Sequence, residues 1–597
     1  MTDWDKIIKN DDNITSIKTI NLQKKEKYLK NLNGLELHLG KKGINVCMYK
    51  LQDLGIYKTL INNFTISVKT IMGYIQKIKS YTKNLENSTI TFPRFGLLSF
   101  FKKNYKNYNI VKNIKSGNKP SVKFEWNGDF KNNQIIIKDH IMKNIYNIEN
   151  RRIGNCGLIL NLEAGQGKSY LATGIMESLQ KKTLIICHNK SILNQWVELL
   201  EVAYPNNKIG VYYGEKKTDG DIIVSIINSL LLDNFYFDIA KADKSNSDKA
   251  KADKAKADKS NSGKISRDDF FEMFGFVILD EIHEYSGGKR KGIYKLIQSK
   301  YMLGLSATPD ENVNGMDVIN TWNCGDILEA DKLPGYSVEN INFKGNVSRI
   351  NYFGNPEYTQ LVLNEKLGIV SCSSMISQIC EDPYRLYLIT KIVFDLLNKH
   401  QYIFVFTDRR EYLNNIKTQL EKNNISTHFL LSEKDKCDIT TLMGGSKPQE
   451  IDFAKNKSDI ILTTYQFMGT GISIPKMNAI VLATPRKTKS KQYINRIFRL
   501  GSNYDITREI VDIVDVSTPM KSQYYKRKKH YDEKKYPITT TKIKWDELES
   551  EMIEKQIEDE FIEDNNTSTH SPENDSSENI KCESLELELN KLKKMLN

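Results

Sequence analysis

The sequence predicts an α/β protein: two parallel-sheet domains in tandem, an N-terminal accessory domain before them, and an acidic, largely disordered C-terminal tail. Three observations predict it. Short β-branched and aliphatic runs alternate with helical periodicity over two separate stretches. The first run of the first stretch enters a loop that ends Gly167-Lys168-Ser169. A later run in the same stretch ends in the carboxylate pair Asp280-Glu281. Continuous apolar runs suit strands buried on both faces, and strand–helix alternation is the rhythm of a parallel sheet. A chain of 597 residues accommodates about three to five domains of ordinary size.

Residues 1–115 mix short apolar runs with Lys and Asn and are read as the accessory domain. Within it, TITFPRFGLLSFF (89–101) predicts a strand, a turn at Pro93 and a second apolar segment. Residues 116–335 carry the first α/β rhythm, with strands GLILNL (157–162), TLIICH (183–188), DIIVSI (221–226), FVILDE (276–281) and YMLGLS (301–306). A Lys/Ala/Asp/Ser repeat (241–264) interrupts this domain. It has no apolar side chains to bury and is expected to be a disordered surface insertion. Residues 370–520 repeat the rhythm through YIFVFT (402–407), DIILTT (459–464), AIVLAT (479–484) and IVDIVDV (510–516). A basic, aromatic segment (521–544) closes the domain, and residues 545–597 form the acidic tail.

The net charge is +13 although the last fifty residues are acidic, so the body is more basic than the total. That balance suits a polyanionic partner. The eight cysteines form no C-x-x-C pair and no zinc-spaced cluster, which predicts free thiols and no zinc. The N-terminus MTDWDKIIKNDDN is not a signal peptide, and no run approaches the ~18 apolar residues of a membrane helix. A soluble intracellular protein without a membrane partner is expected.

LEAGQGKS (162–169) departs from the usual phosphate loop G-x-x-x-x-G-K-[ST], because Leu162 holds the place of the first glycine. Leu162 is read as closing the strand. Ala164, Gly165, Gln166 and Gly167 would surround a polyphosphate with backbone N–H groups at a helix N-terminus. Lys168 would reach the β- and γ-phosphates of ATP, and the Ser169 hydroxyl would hold Mg²⁺. Asp280, ending its strand, would be the second holder of Mg²⁺, and Glu281 would polarise the attacking water. Ser306 and Thr308, in LGLSATPD (303–310), could link the nucleotide site to a neighbouring element, with His283 in the same link.

In this order, GKS, DEIH, SAT and a second α/β domain resemble the superfamily 2 DEAD/DEAH-box helicases, over roughly residues 116–520. The resemblance implies two RecA-like domains. Gln134, in DFKNNQIIIKDHI (129–141), lies where a glutamine often reads adenine. TLIICHNKSILNQW resembles the nucleic-acid-contacting segment after the phosphate loop, with Asn189 as a contact. IFVFTDRREYLNNI (403–416), ILTTYQFMGTGISIP (461–475) and QYINRIFRLGS (492–502) resemble motifs IV, V and VI. By that match Thr464, Gly469 and Gly471 contact nucleic acid, Gln492 lies at the ATP site, and Arg496 and Arg499 reach the γ-phosphate. Ser473 stands where motif V often has Asp, and Asn495 where motif VI has Gly. Both bear on the coupling of hydrolysis to strand movement.

Leu162, the extended SATPDENVNGMD (306–317), TFPRFG and RKKHYDEKKYPI further resemble the XPB-type branch, and within it the poxvirus-type transcript-release helicase and its relatives in large DNA viruses. The function so implied is ATP-dependent movement on, or unwinding of, DNA or DNA/RNA hybrids in viral transcription, replication or repair. Transcription machinery would then be a partner, and a virus would place the protein in the virion and the host cytoplasm. An RNA helicase is the neighbouring alternative. A nucleic-acid-binding scaffold without turnover is the alternative of another class.

Overall fold

The computed structural model of the chain describes residues 30–40, 42–70, 74–112, 114–163, 165–238, 264–297, 299–309, 315–337, 343–365, 368–399, 401–426, 437–468, 474–486, 490–498 and 505–567. Ala164, nearly all of the 241–264 insertion, Gly469, Gly471, Ser473, Arg499 and residues 568–597 lie outside the described residues. Among the described residues, no helix is long and apolar enough to cross a membrane.

Two compact units divide the chain. Met1–Lys344, Tyr465–Asn478 and Thr488–Arg508 make the first, and Gly345–Thr464, Ala479–Lys487 and Glu509–Asn597 the second. This differs from the sequence-drawn boundary at 370–520 in two ways. The segments that carry motifs V and VI pack with the first unit. The second unit also starts earlier, at the strand Gly345–Phe353, whose alternating burial gave no continuous apolar run to read.

The first unit is built on an eight-stranded sheet. Its strand order is Lys216–Lys217, Ile209–Tyr213, Ile222–Ile226, Thr183–Cys187, Phe276–Asp280, Tyr301–Ser306, Gly157–Asn161, Asp326–Glu329. Every pairing is parallel except that of the first two strands. TLIIC, FVILD and YMLGLS are buried at every position, as strands covered on both faces require. Helices Lys168–Leu179 and Lys190–Ala203 cover one face through Leu171, Ile175, Leu193, Trp196 and Leu200. The insertion leaves this unit from a two-stranded antiparallel stem, Phe237–Asp238 with Lys264–Ile265, so Lys264 belongs to the stem rather than to the loop. Phe237 is fully buried against Tyr212 and Phe270.

The accessory domain is a five-stranded sheet ordered Thr82–Asn84, Thr89–Phe92, Gly43–Cys47, Glu36–Gly40, Asn109–Lys112, with helix Arg94–Asn104. Pro93 separates the last residue of strand Thr89–Phe92 from that helix, as the sequence predicts. Arg94 is fully buried without a carboxylate. Its guanidinium donates to the carbonyls of Gly154 (2.6 Å), Ser299 (2.5 Å) and Lys300 (3.1 Å). Three backbone acceptors thus replace an anion and fasten the accessory domain to the residues just before two core strands.

The second unit holds a seven-stranded sheet ordered Ile439–Leu442, Ile460–Thr464, Ile403–Thr407, Ala479–Leu482, Arg508–Asp515, Gly345–Phe353, Ile538–Lys544. The basic closing segment therefore contributes an edge strand, after helix Ser522–Glu533. Arg527 of that helix clamps buried Asp512 through Nη2–Oδ1 (2.7 Å) and Nε–Oδ2 (2.8 Å), and the Tyr531 hydroxyl donates to Oδ2 (2.8 Å). Arg385 similarly holds Asp515 and the Ala483 carbonyl.

The start of the acidic tail differs from the expected disorder. Trp545–Thr567 is a helix. Trp545 packs on Tyr384 with ring centroids 5.4 Å apart, the Tyr384 hydroxyl donates to Glu549, and Lys391 Nζ donates to Glu551 (2.7 Å). Composition counted these glutamates as solvated, whereas two of them have partners on helix Pro383–Asn398.

Asp512→Ala removes the carboxylate from a buried bidentate pair. It is expected to cost about 3–5 kcal/mol of stability, read as a lower urea midpoint.

Candidate nucleotide site

Parallel pairing brings the C-terminal ends of the core strands to one edge of the first sheet, where α/β folds hold their ligands. Asn161 is in register with Ser306, Asp280 with Leu305, and Ile186 with Leu279. The loop that leaves the first of these strands turns through two left-handed glycines, Gly165 at φ 84° and Gly167 at φ 77°. A Cβ on Gly167 would also lie 2.6 Å from Gln134 Nε2. Glycine is required at these two places, whereas Leu162 continues the strand: its N–H donates to the Ser306 carbonyl (3.2 Å) and its side chain is buried in the core.

Helix Lys168–Leu179 begins directly after Gly167. Its first N–H groups have no acceptor within the helix and form a site for an anion. Lys168 Nζ donates to the carbonyls of Leu162 (2.7 Å) and Glu163 (3.2 Å), which holds its ammonium over the loop. Gln134 is buried, and its Oε1 accepts the N–H of Lys131 (3.1 Å) at the start of helix Asn132–His140. Beside it, Trp126 packs on Phe130 (centroids 4.2 Å) and Tyr170 (5.2 Å), and the Tyr170 hydroxyl accepts the N–H of Asp129 (2.8 Å).

Asp280 is buried at the end of its strand. Its Oδ2 accepts the indole N–H of Trp196 (2.8 Å) and its Oδ1 the N–H of Glu281 (3.1 Å). Burial, followed by the negative charge of Glu281, raises the Asp280 pKa above the ordinary carboxylate range, while the Trp196 hydrogen bond and the Lys168 ammonium oppose that rise. A buried carboxylate under this strain gains from a cation. The hard oxygen donors Asp280 and Ser169 match the preference of Mg²⁺, so the residues present fit that ion. Glu281 has φ 50° and ψ 54°, a left-handed conformation uncommon outside glycine. The chain thus bends sharply where the second carboxylate leaves the strand, a cost of order 1–3 kcal/mol that tends to mark functional sites.

His283 joins this pair to Ser306. Its Nδ1 lies 3.0 Å from Ser306 Oγ and 3.4 Å from Glu281 Oε2, and its Nε2 lies 3.1 Å from the amide nitrogen of Gln492. Ser306 Oγ accepts the N–H of Thr308 (3.1 Å). The coupling residues expected from sequence are therefore brought together, with Gln492 added to them through His283.

Other expected residues sit elsewhere. Arg496 is buried in the short turn Asn495–Ile497 of the first unit. Thr464 ends its strand in the second unit, in register with Thr407. The Asn189 side chain caps helix Lys190–Ala203 by accepting the N–H of Ile192 (2.9 Å), and its amide group donates to His188 Nε2 (2.9 Å). Sequence reading missed Trp196 and the Trp126–Phe130–Tyr170 cluster. The cluster had a local signal, two aromatics just before Gln134. Trp196 had none, since 84 positions separate it from Asp280.

Fold and site together define a phosphate-loop enzyme with a second parallel-sheet unit. The Type III restriction enzyme, res subunit family matches residues 129–311. The "Putative ATP-dependent RNA helicase QP509L" of African swine fever virus (isolate Pig/Kenya/KEN-50/1950) is 31% identical over 400 residues, covering 64% of this chain and 69% of its own. The "Putative ATP-dependent RNA helicase L396" of Acanthamoeba polyphaga mimivirus is 24% identical, covering 70% of both chains. "Transcript termination protein A18" of Yaba-like disease virus is 23% identical, covering 59% of this chain and 66% of its own. The chain belongs to the superfamily 2 helicases of large DNA viruses, a family of ATP-dependent enzymes.

Glu281→Gln keeps the size of the side chain and removes its basicity. ATP hydrolysis is expected to fall about 10²–10⁴-fold while nucleotide binding persists, measured by steady-state turnover beside fluorescent-ADP binding.

Proposed function

We propose that the protein is a nucleic-acid-stimulated ATPase that moves along DNA and strips RNA from DNA/RNA hybrids during viral transcription. One observation carries the coupling part of this reading: the chain Ser306–His283–Gln492, which joins a strand-end serine of the nucleotide site to the motif VI segment. A kinase or a simple phosphate-loop hydrolase has no use for that link. The transcript-release part is supported by the similarity to a transcript termination protein of a poxvirus.

In this reading the loop 164–167 and Lys168 bind the phosphates of ATP, and Gln134 reads the adenine. Ser169 and Asp280 would hold Mg²⁺, and the ion would supply positive charge against the phosphates. Glu281 orients the attacking water and takes its proton. Arg496 and Arg499 supply cations against the charge that develops on the γ-phosphate. His283 passes the state of the Glu281 region to Gln492 and Ser306. Asn189, Thr464, Gly469 and Gly471 are the nucleic-acid contacts of this reading, mainly to phosphate, which gives a strong dependence on salt. Transcription machinery is the partner, and the virion and host cytoplasm are the setting.

An RNA helicase differs from this reading in its track, so the test separates the two. ATP hydrolysis is measured alone and with single-stranded DNA, duplex DNA and RNA, beside displacement of RNA from a DNA/RNA hybrid. DNA stimulation with hybrid displacement is expected, and Lys168→Ala should abolish both with the fold intact. Stimulation by RNA alone would favour the RNA helicase. Normal turnover by Lys168→Ala would remove the site assignment.

A further inference from the structure

The Asp280 carboxylate accepts a hydrogen bond from an indole of another element. Trp196 Nε1–H donates to Asp280 Oδ2 at 2.8 Å, and both groups are buried, with 2% of Trp196 and 8% of Asp280 exposed. An indole has one donor and no acceptor, and when buried it needs a partner. A backbone carbonyl would satisfy it without involving a charge. Here it is spent on the carboxylate at the strand end, on the side opposite the oxygen that accepts the Glu281 N–H.

The indole is itself held firmly. Helix Lys190–Ala203 is capped by Asn189 and buries Ile192, Leu193, Trp196 and Leu200 against the sheet. The terminal torsion of an aspartate is broad and two-fold, so the backbone alone does not fix the carboxylate plane. A rigid donor does. Metal-binding groups whose outer partners are removed typically lose about 10–100-fold in affinity.

We propose that Trp196 is a positioning residue for Asp280: its indole N–H fixes the rotation of the carboxylate and thereby sets its affinity for the divalent cation that accompanies the nucleotide. This rests on the assignment of Asp280 to the cation made above.

The test uses the full chain, with Mn²⁺ as the probe and ADP as the nucleotide. Free Mn²⁺ is followed by its electron paramagnetic resonance signal, and ADP binding in EDTA is measured separately with a fluorescent analogue. Trp196→Phe is expected to weaken Mn²⁺ binding about 10–100-fold and to leave ADP binding in EDTA unchanged. Replacing Trp196 with 3-benzothienylalanine keeps the bicyclic shape without the N–H. It should give the same shift, and it guards against loss of fold. Leu200→Ala disturbs the same helix without touching Asp280, so it should lower the melting temperature and leave Mn²⁺ affinity in place. Unchanged Mn²⁺ affinity in the benzothienyl variant, with affinity lost in Asp280→Asn, overturns the proposal and leaves the site assignment standing. Retained affinity in Asp280→Asn overturns the assignment itself. A loss in Leu200→Ala equal to that in Trp196→Phe would reduce Trp196 to packing and overturn the proposal.

Discussion

Parallel pairing of three strands is the constraint on which the site depends. Gly157–Asn161, Tyr301–Ser306 and Phe276–Asp280 run side by side in one direction. Their ends then bring a phosphate loop, a serine and a carboxylate pair to one edge, although the loop lies more than a hundred positions before the other two in sequence. The strand that ends at Ser306 lies between the other two. Ser306 accordingly takes part in both halves of the site, its carbonyl accepting the Leu162 N–H and its hydroxyl facing His283. A slip of one residue in either pairing would turn every side chain to the opposite face and break both connections.

Much of this was legible in the sequence because its cause is local. Buried parallel strands need unbroken apolar runs, and FVILD, TLIIC and IFVFT are unbroken. A left-handed turn needs glycine, and Gly165 and Gly167 stand where the backbone has positive φ. Gly345–Phe353 was not legible because its burial alternates, with polar residues facing out between apolar ones. The helix after Trp545 was hidden by composition: glutamates signal solvation until Tyr384 and Lys391, distant in sequence, are seen to meet them. Trp196 shows the same limit at the site, since its partner is fixed by the sheet and by no spacing rule.

The two units solve the burial of charge differently. In the second, Arg527 and Arg385 each face an aspartate of one strand, Asp512 and Asp515. In the first, Arg94 donates to three backbone carbonyls and its guanidinium lies over the Phe95 ring, 4.5 Å from the centroid, so dipoles and an aromatic face stand where the second unit uses carboxylates. Burial lowers its pKa to about 10, still well above neutrality, so it stays charged and the three carbonyls stay satisfied. The accessory domain is thus locked to the core by an interaction that salt screens poorly, because no mobile ion reaches it.

The stem formed by Phe237–Asp238 and Lys264–Ile265 bears on how the chain can change over generations. It sets the two ends of the repeat side by side before the repeat begins. The entropy of closing a loop grows only with the logarithm of its length, about 0.6 kcal/mol for each doubling. Copies of a Lys-Ala-Asp unit can therefore be gained or lost between fixed ends at almost no thermodynamic penalty to the sheet beneath. A change in the length of this segment by replication error would therefore meet little resistance from the folding of the sheet.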